Sequence, residues 1–232
     1  MRLFIDIGNT QVKIMPATAG QFATLIKIPL PEWNKKAVTA LLKQFPDVNK
    51  LTVSSVVPTA GALLQKVALA KQVPCNFITA TNQTFVNVNT TTPAQVGADL
   101  VACAAAVNGR TIIVDFGTAT TISLVDRNSI EGVSIAPGLG TQLASIVNDA
   151  ALLEPVELRA TDQFLGRDTN EALLAGIVMG QAKMVEGVIQ SLGKAAVVFT
   201  GGYASMINQT LGNKYDVDPY LLMKGLQRID GE

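Results

Sequence analysis

LFIDIGNTQVKI at residues 3–14 and IIVDFGTATTIS at residues 112–123 decide the fold. Each reads as an apolar strand, an Asp, an apolar residue, a Gly, a short polar turn and a second strand. The two aspartates, Asp6 and Asp115, stand about one small domain apart. The pattern around them repeats as well. In the first half, strands at about 2–7, 11–17 and 22–30 precede a helix at 34–44, a strand at 51–57, a helix at 60–71 and a strand at 76–80. A helix over 98–108 then stops at Gly109. In the second half, TIIVDFGT, ATTISLVD and SIEGVSIA are strands, followed by helices at about 139–152 and 169–192. The strand AAVVFTGG, a helix after Gly202 and a last helix near 219–228 complete it. This order predicts an α/β chain of two mixed sheets flanked by helices, with an N-terminal lobe at 1–109 and a C-terminal lobe at 110–232.

Composition narrows the chemistry. Of 232 residues, 48% are apolar and 16% charged, a composition that folds around a core. Lys plus Arg equals Asp plus Glu at 18 each, so there is no electrostatic footprint for nucleic acid or an anionic membrane. No stretch reads as a membrane span or a signal peptide. The two cysteines, Cys75 and Cys103, read as reduced core thiols, and the expected location is the cytoplasm. There is no histidine, which removes the Ser-His-Asp triad and His-based zinc sites. Acid–base work near neutral pH falls to carboxylates.

The Asp6-Ile7-Gly8-Asn9-Thr10 turn is one place for it. Asp at the end of a buried strand needs a partner, and Gly8 allows a sharp turn and close approach to a ligand. Such a hairpin can hold phosphate oxygens while the Asp meets a cation; it can also be an ordinary tight turn. Two copies, one per lobe, favour a ligand clamped by both. In the second copy Asp115, Gly117 and Thr118 lie at the turn. Asp99, in Gly97-Ala98-Asp99, opens a helix, where it is either a cap or a general base toward an alcohol attacking a γ-phosphate. Thr200-Gly201-Gly202 can bring backbone close to a flat ligand. Pro137-Gly138-Leu139-Gly140 fails the dinucleotide fingerprint, and no P-loop occurs. Asp168 or Thr169 caps the long helix, and Thr169 can also meet substrate.

Taken together, FIDIGNTQVK, SSVVP at 54–58, PAQVGAD at 93–99, IIVDFGTATT, IAPGLG, GRDTNEALLAG at 166–176, FTGG at 199–202 and PYLLMKGLQRI resemble the type III pantothenate kinases, relatives of acetate and sugar kinases, Hsp70 and actin. The resemblance implies two duplicated ribonuclease-H-like lobes with a nucleotide cleft between them. It implies phosphorylation of the 4′-hydroxyl of pantothenate by ATP, with Mg²⁺ and K⁺ or NH₄⁺, in a homodimer whose interface includes the helix after Thr169. Carried over, Asp6, Ile7, Gly8, Asn9, Thr10, Gln11, Val12 and Lys13 form the first phosphate loop, with Asp6 toward Mg²⁺ through water. Gly117, Thr118, Gly201 and Gly202 contact ATP, and Asp115 holds the monovalent cation. Asp99 is the base. Thr90, Gly97, Ala98, Asp99, Leu100 and Thr169 meet the acceptor. Two positions depart from the family pattern: Leu100 stands where Arg is usual, and Thr90 where a Tyr is usual. Both fall in the acceptor pocket, so a kinase of the same fold for another small alcohol, or a weakly catalytic nucleotide-binding relative, stays open at this point.

Overall fold

The computed structural model describes residues 1–150 and 152–231. Strands β1 (Arg2–Ile7), β2 (Gln11–Thr18), β3 (Gln21–Phe22) and β4 (Ile26–Pro29) lead to helix α1 (Lys35–Gln44). Then follow β5 (Lys50–Ser55), α2 (Pro58–Ala70), β6 (Cys75–Phe77), β7 (Asn87–Val88) and α3 (Ala98–Ala105). The sequence pattern repeats with β8 (Thr111–Phe116), β9 (Ala119–Asp126), β10 (Ser129–Pro137) and α4 (Leu139–Asp149). A long helix runs as α5 (Thr169–Leu174), a π turn (Ala175–Met179) and α6 (Gly180–Leu192). Strand β11 (Ala196–Thr200), α7 (Ala204–Thr210), β12 (Asp216–Val217) and α8 (Leu221–Asp230) end the order.

The chain divides into two units. In the first, the sheet order is β3-β2-β1-β5-β6, with β4 also on β2. β1 runs antiparallel to β2 and parallel to β5, and β5 runs parallel to β6. In the second unit the order β12-β11-β8-β9-β10 repeats this plan. There β8 is antiparallel to β9 and parallel to β11, which is parallel to β12. Each sheet therefore has the ribonuclease-H-like order that the duplicated stretch predicts. Both central strands are covered on two faces, which is why they read as near-continuous apolar runs.

Alternation along β1 splits it between two packing layers. Leu3, Ile5 and Ile7 join Val38, Leu41 and Leu42 of α1 and Leu64, Val67 and Ala68 of α2 in one apolar cluster. The other face meets α8, which packs on α3 where α3 covers β5. In the second unit Ile112, Val114 and Phe116 pack against Leu173, Leu174, Ile177, Val178, Val185 and Ile189 of the long helix and against α7. The rings of Phe116 and Phe199 meet edge-on at 5.0 Å. This helix, Thr169–Leu192, is long and apolar enough by composition to cross a membrane, which corrects the expectation that no stretch reaches that length; its apolar face is core.

Several boundaries differ from expectation, each for a physical reason. The strand expected at 22–30 is two pieces, because three residues, Ala23 to Leu25, oppose only Met15 and Pro16 on β2. Pro16 lacks an N–H for the ladder, and its carbonyl accepts from Ala23 at 2.9 Å instead. The helix expected to 108 ends at Ala105, where Arg228 Nη1 donates to the carbonyls of Ala105 (3.0 Å) and Val107 (3.4 Å). The helix expected over 139–152 ends at Asp149, and residue 151 lies outside the described residues. β7 and β12, two residues each, have no periodic signal.

The boundary near Gly109 matches the start of the second unit, but the lobe expected at 110–232 loses its end. Residues from Tyr220 onward belong to the first unit, as do Asn128–Ile130. The reason is the α3–α8 contact and a buried clasp. Asp230 has no exposed side chain and binds Lys50 Nζ at 2.7 Å, Thr52 Oγ1 at 2.5 Å and the Arg2 guanidinium. Burial alone would raise its carboxyl, but the hydrogen bonds from Lys50 and Thr52 and the Lys50 and Arg2 charges outweigh that and hold it low. Gly225 of α8 lies so close to α3 that a Cβ there would overlap the Ala102 carbonyl. We therefore expect Gly225→Ala to destabilise the protein by about 1–3 kcal/mol in urea unfolding, despite the ~1 kcal/mol that Ala gains over Gly in a helix. An unchanged or raised unfolding midpoint would show that α3 and α8 separate at no cost.

Candidate active site

In the first unit the residues after β1 turn tightly. Gly8 N–H donates to Gln11 C=O at 3.1 Å, closing the β1–β2 hairpin. Asp6 is 6% exposed. Its cross-strand neighbours are Lys13 on β2 and Ser54 on β5. Ser54 Oγ donates to Asp6 Oδ1 at 3.3 Å, and Lys13 Nζ lies 3.6 Å from Oδ2. Ser54 had no role in the sequence reading, because a serine in a strand carries no signal of its own. Asn9 and Thr10 at the tip are exposed, Gln11 is half-buried and Ile7 and Val12 anchor the hairpin in the core.

Asp99 stands in the first turn of α3. The N-cap is Gly97, which has no side chain to cap with, so a first-turn N–H falls to Asp99. Its Oδ1 accepts from Leu100 N–H at 2.9 Å. Burial pushes the Asp99 carboxyl above the usual aspartate range, partly offset by the Leu100 and Asp99 N–H groups and by the charge of Lys13. A raised carboxyl is a stronger base, suited to taking a hydroxyl proton near neutral pH. Gly97 is where it is because a Cβ there would overlap Asp99 Oδ1. The same Cβ would touch Val56 Cγ1 at 3.8 Å, and Val56 N–H bonds Ile7 C=O at 3.1 Å. The start of α3 thus sits beside the strand ends that carry Asp6 and Ser54.

Ala98 is buried and Leu100 half-buried. Thr90 follows β7, which pairs Asn87 and Val88 with Ser129 and Ile130. Its Oγ1 is buried with no hydrogen-bond partner among the described residues. An unsatisfied buried hydroxyl costs about 1–3 kcal/mol, so a ligand oxygen there would be favoured.

In the second unit three glycine loops converge on the β8–β9 hairpin. Gly117 N–H donates to Ala119 C=O at 3.0 Å. The Thr118 carbonyl accepts from Gly138 N–H at 3.0 Å and from Thr141 Oγ1 at 2.7 Å. A Cβ on Gly138 would overlap the Gly117 carbonyl and lie 2.6 Å from that of Thr118. Gly201, at φ +93°, packs its α-carbon against the Asp115 carboxylate and the Phe116 backbone. The Pro137–Gly140 loop therefore pins the hairpin, a role missed when it was tested only as a nucleotide fingerprint. The Thr118 side chain is left exposed, and Gly202 is open to solvent with no heavy atom within 4 Å of a Cβ. At the long helix Asp168 is the N-cap, its Oδ1 accepting from Glu171 N–H at 2.8 Å, which leaves Thr169 exposed at the first helical position.

Two metal expectations can be weighed against this geometry. Among the described residues no three carboxylate or cysteine side chains gather as a metal cage. Mg²⁺ entering with phosphates needs only one or two protein carboxylates, since it keeps several waters, and Asp6 fits that limited demand. Asp115, half-buried beside the Gly201 backbone, offers a single carboxylate to a large monovalent ion.

Comparison with known proteins gives the family and the fold. A family model described as type III pantothenate kinase matches residues 2–191. A type III pantothenate kinase from Dictyoglomus turgidum is 31% identical over 248 residues, covering 97% of each chain. Among solved structures, a Campylobacter jejuni protein described as a Baf family transcriptional activator superposes with a TM-score of 0.69 at 18% identity, covering 99% of this chain and 97% of its own. A ROK hexokinase from Thermus thermophilus superposes with a TM-score of 0.52 at 11% identity, covering 98% and 97%. The structural likenesses carry the fold alone; the sequence matches carry the family. With the paired Asp–Gly hairpins in place and Asp99 at the start of α3, this chain belongs to the type III pantothenate kinase family.

Proposed function

We propose that this chain transfers the γ-phosphoryl group of ATP to the 4′-hydroxyl of pantothenate, the first step of coenzyme A biosynthesis. Family membership supports both substrates. The observation that carries the chemistry is Asp99, a carboxylate at the start of α3 raised by burial, in a chain without histidine. As the hydroxyl oxygen forms its bond to the γ-phosphorus, Asp99 takes the proton; the bond to the bridging oxygen breaks and ADP leaves with the electron pair. In the first unit Gly8 to Thr10 offer hairpin backbone to phosphate, and Gly97 to Leu100 with the unsatisfied Thr90 hydroxyl are the acceptor residues. In the second unit Gly117 to Thr118 offer hairpin backbone to phosphate, and Thr169 offers an exposed hydroxyl. Asp6 would hold Mg²⁺ through water, and the ion when bound neutralises charge on the phosphates. The expected location is the cytoplasm, a reading supported by the use of ATP.

Asp99→Asn tests the assignment. We expect kcat to fall by roughly 10²–10⁴ while ATP binding by calorimetry stays nearly unchanged. Near-normal kcat would return Asp99 to a structural role.

The monovalent cation is assigned to Asp115, supported by its position under the second hairpin and its contact with Gly201. Turnover in K⁺ or NH₄⁺ is expected to exceed that in Na⁺, and Asp115→Asn to erase the difference. Equal rates in Na⁺ and K⁺ for the unmodified enzyme would remove the cation from the scheme.

A homodimer is the expected assembly. Support comes from exposed apolar side chains on the second unit, Ile135, Ile146, Phe164 and Leu165. The long helix also presents Gly176, Gly180 and Gly187 with open space before them. Sedimentation equilibrium should return twice the chain mass at micromolar concentration; a fully active monomer would contradict it.

A further inference from the structure

Gln181 is the polar residue of the long helix that packing leaves unexplained. It stands in the stripe of Leu174, Ile177, Val178, Val185 and Ile189, all members of the apolar cluster that covers β8, and is itself only 5% exposed. Its Nε2 is buried with no hydrogen-bond partner among the described residues. A buried amide nitrogen without a partner destabilises a fold, and each such group in a native structure calls for an explanation. Met would fill nearly the same space without that cost.

The oxygen end of the same amide is occupied. Gln181 Oε1 accepts from Gln142 Nε2 of α4, and that nitrogen also donates to the Pro137 carbonyl at 2.9 Å. The Gln142 N–H donates to the Gly138 carbonyl, again at 2.9 Å. Gln142 thus holds two successive carbonyls of the Pro137–Gly140 loop. That loop has no slack toward the β8–β9 hairpin. Gly138 N–H and Thr141 Oγ1 both bond the Thr118 carbonyl, and the Gly138 α-carbon lies too close to the Gly117 and Thr118 carbonyls to carry a Cβ. A displacement of Pro137 is therefore passed on to the hairpin backbone. The path runs Gln181, Gln142, Pro137, Gly138, Thr118, each step a hydrogen bond or a peptide bond, and all of it lies within the second unit.

We infer that Gln142 and Gln181 are positioning residues for ATP: the Gln181 amide, carried by the long helix, fixes the Gln142 amide, and through the Pro137–Gly140 loop this sets where the second hairpin's backbone meets the phosphates. The inference deepens the reading of Gly117 and Thr118 as phosphate-contacting backbone and rests on it. It also accounts for the orphaned nitrogen. An amide supplies a neutral acceptor of this reach, a carboxylate would cost far more to bury, and the nitrogen comes with the oxygen.

The experiment compares the wild type with Gln181→Met, Gln142→Met and the double variant, by urea unfolding and by kinetics with ATP varied at saturating pantothenate. In Gln181→Met the unfolding midpoint should stay at or above that of the wild type, because the orphaned nitrogen is gone. Its KM for ATP should nevertheless rise roughly 2- to 10-fold, the worth of one hydrogen bond, with kcat nearly unchanged. Gln142→Met strands the buried Gln181 oxygen, so it should lower the midpoint as well as raise KM. The double variant should recover the midpoint and keep the raised KM, since replacing both partners by apolar groups is nearly neutral for stability. If Gln181→Met does not fold, Gln181→Leu carries the same expectation. A KM for ATP that stays at the wild-type value in Gln181→Met and the double variant would overturn the inference, and so would a KM that rises only where the midpoint falls. Gly138→Ala separates this failure from that of the hairpin reading, because it displaces the Gly117 carbonyl directly; if it does not fold, Thr141→Val, which removes a bond to the Thr118 carbonyl at an exposed position, takes its place. A raised KM in that variant with normal KM in the Gln181 variants sinks the coupling and leaves the hairpin on ATP. A normal KM in all of them sinks the hairpin reading and the inference with it.

Discussion

A carboxylate at the end of a central strand, covered on both faces, loses several kcal/mol of hydration unless neighbours replace the water. Each sheet meets this demand from the two flanking strands. In the first, Lys13 and Ser54 stand on either side of Asp6. In the second, Thr121 and Thr200 occupy the matching positions beside Asp115. The row is inseparable from the core, because the residues before and after each Asp point into the apolar cluster on the opposite face. Shifting either strand by one residue would drive the Asp into that cluster and expose the aliphatic side chains, so register and chemistry are specified together.

The two hairpins reach rigidity by different means. The first is closed by one backbone bond, Gly8 to Gln11, and leans on side-chain charge. The second is clamped by close backbone approach. Gly138 and Thr141 both bond the Thr118 carbonyl, and Gly201 occupies a space that no side chain could share. The same plan thus yields one hairpin tuned by electrostatics and one fixed by sterics. Cys75 belongs to neither; burial pushes its thiol up to about 12, so it is a packing residue without reactivity.

Much of the sheet order was legible because strand–Asp–Gly–strand is a local pattern, and its repetition marked the repeat of the fold. The two hairpins were legible for the same reason, whereas Asp99 read as either a cap or a base. What escaped was non-local. Nothing in LLMKGLQRID tells that Gly225 must touch Ala102, or that Asp230 will be enclosed by Arg2, Lys50 and Thr52. The break between β3 and β4 depends on counting residues against a partner strand, although Pro16 marks the spot. Asp99 could be placed at a helix start from sequence, but not that Gly97 takes the N-cap and leaves the Leu100 N–H to the Asp99 carboxylate.

The docking of α8 also sets an order of events during synthesis. The first unit is discontinuous: its sheet and α3 are made early, yet the helix that covers them, bearing Leu221, Leu222, Met223 and Leu226, comes after the whole of the second unit. A nascent chain leaving the ribosome holds the α3 face of that sheet uncovered while roughly half of the chain is still to come, at about 5–20 residues per second. The second unit, contiguous but for a hairpin turn, can close as soon as β12 emerges. The half that begins first is therefore finished last, and the interval is the period in which the nascent enzyme is most exposed to aggregation and to chaperones.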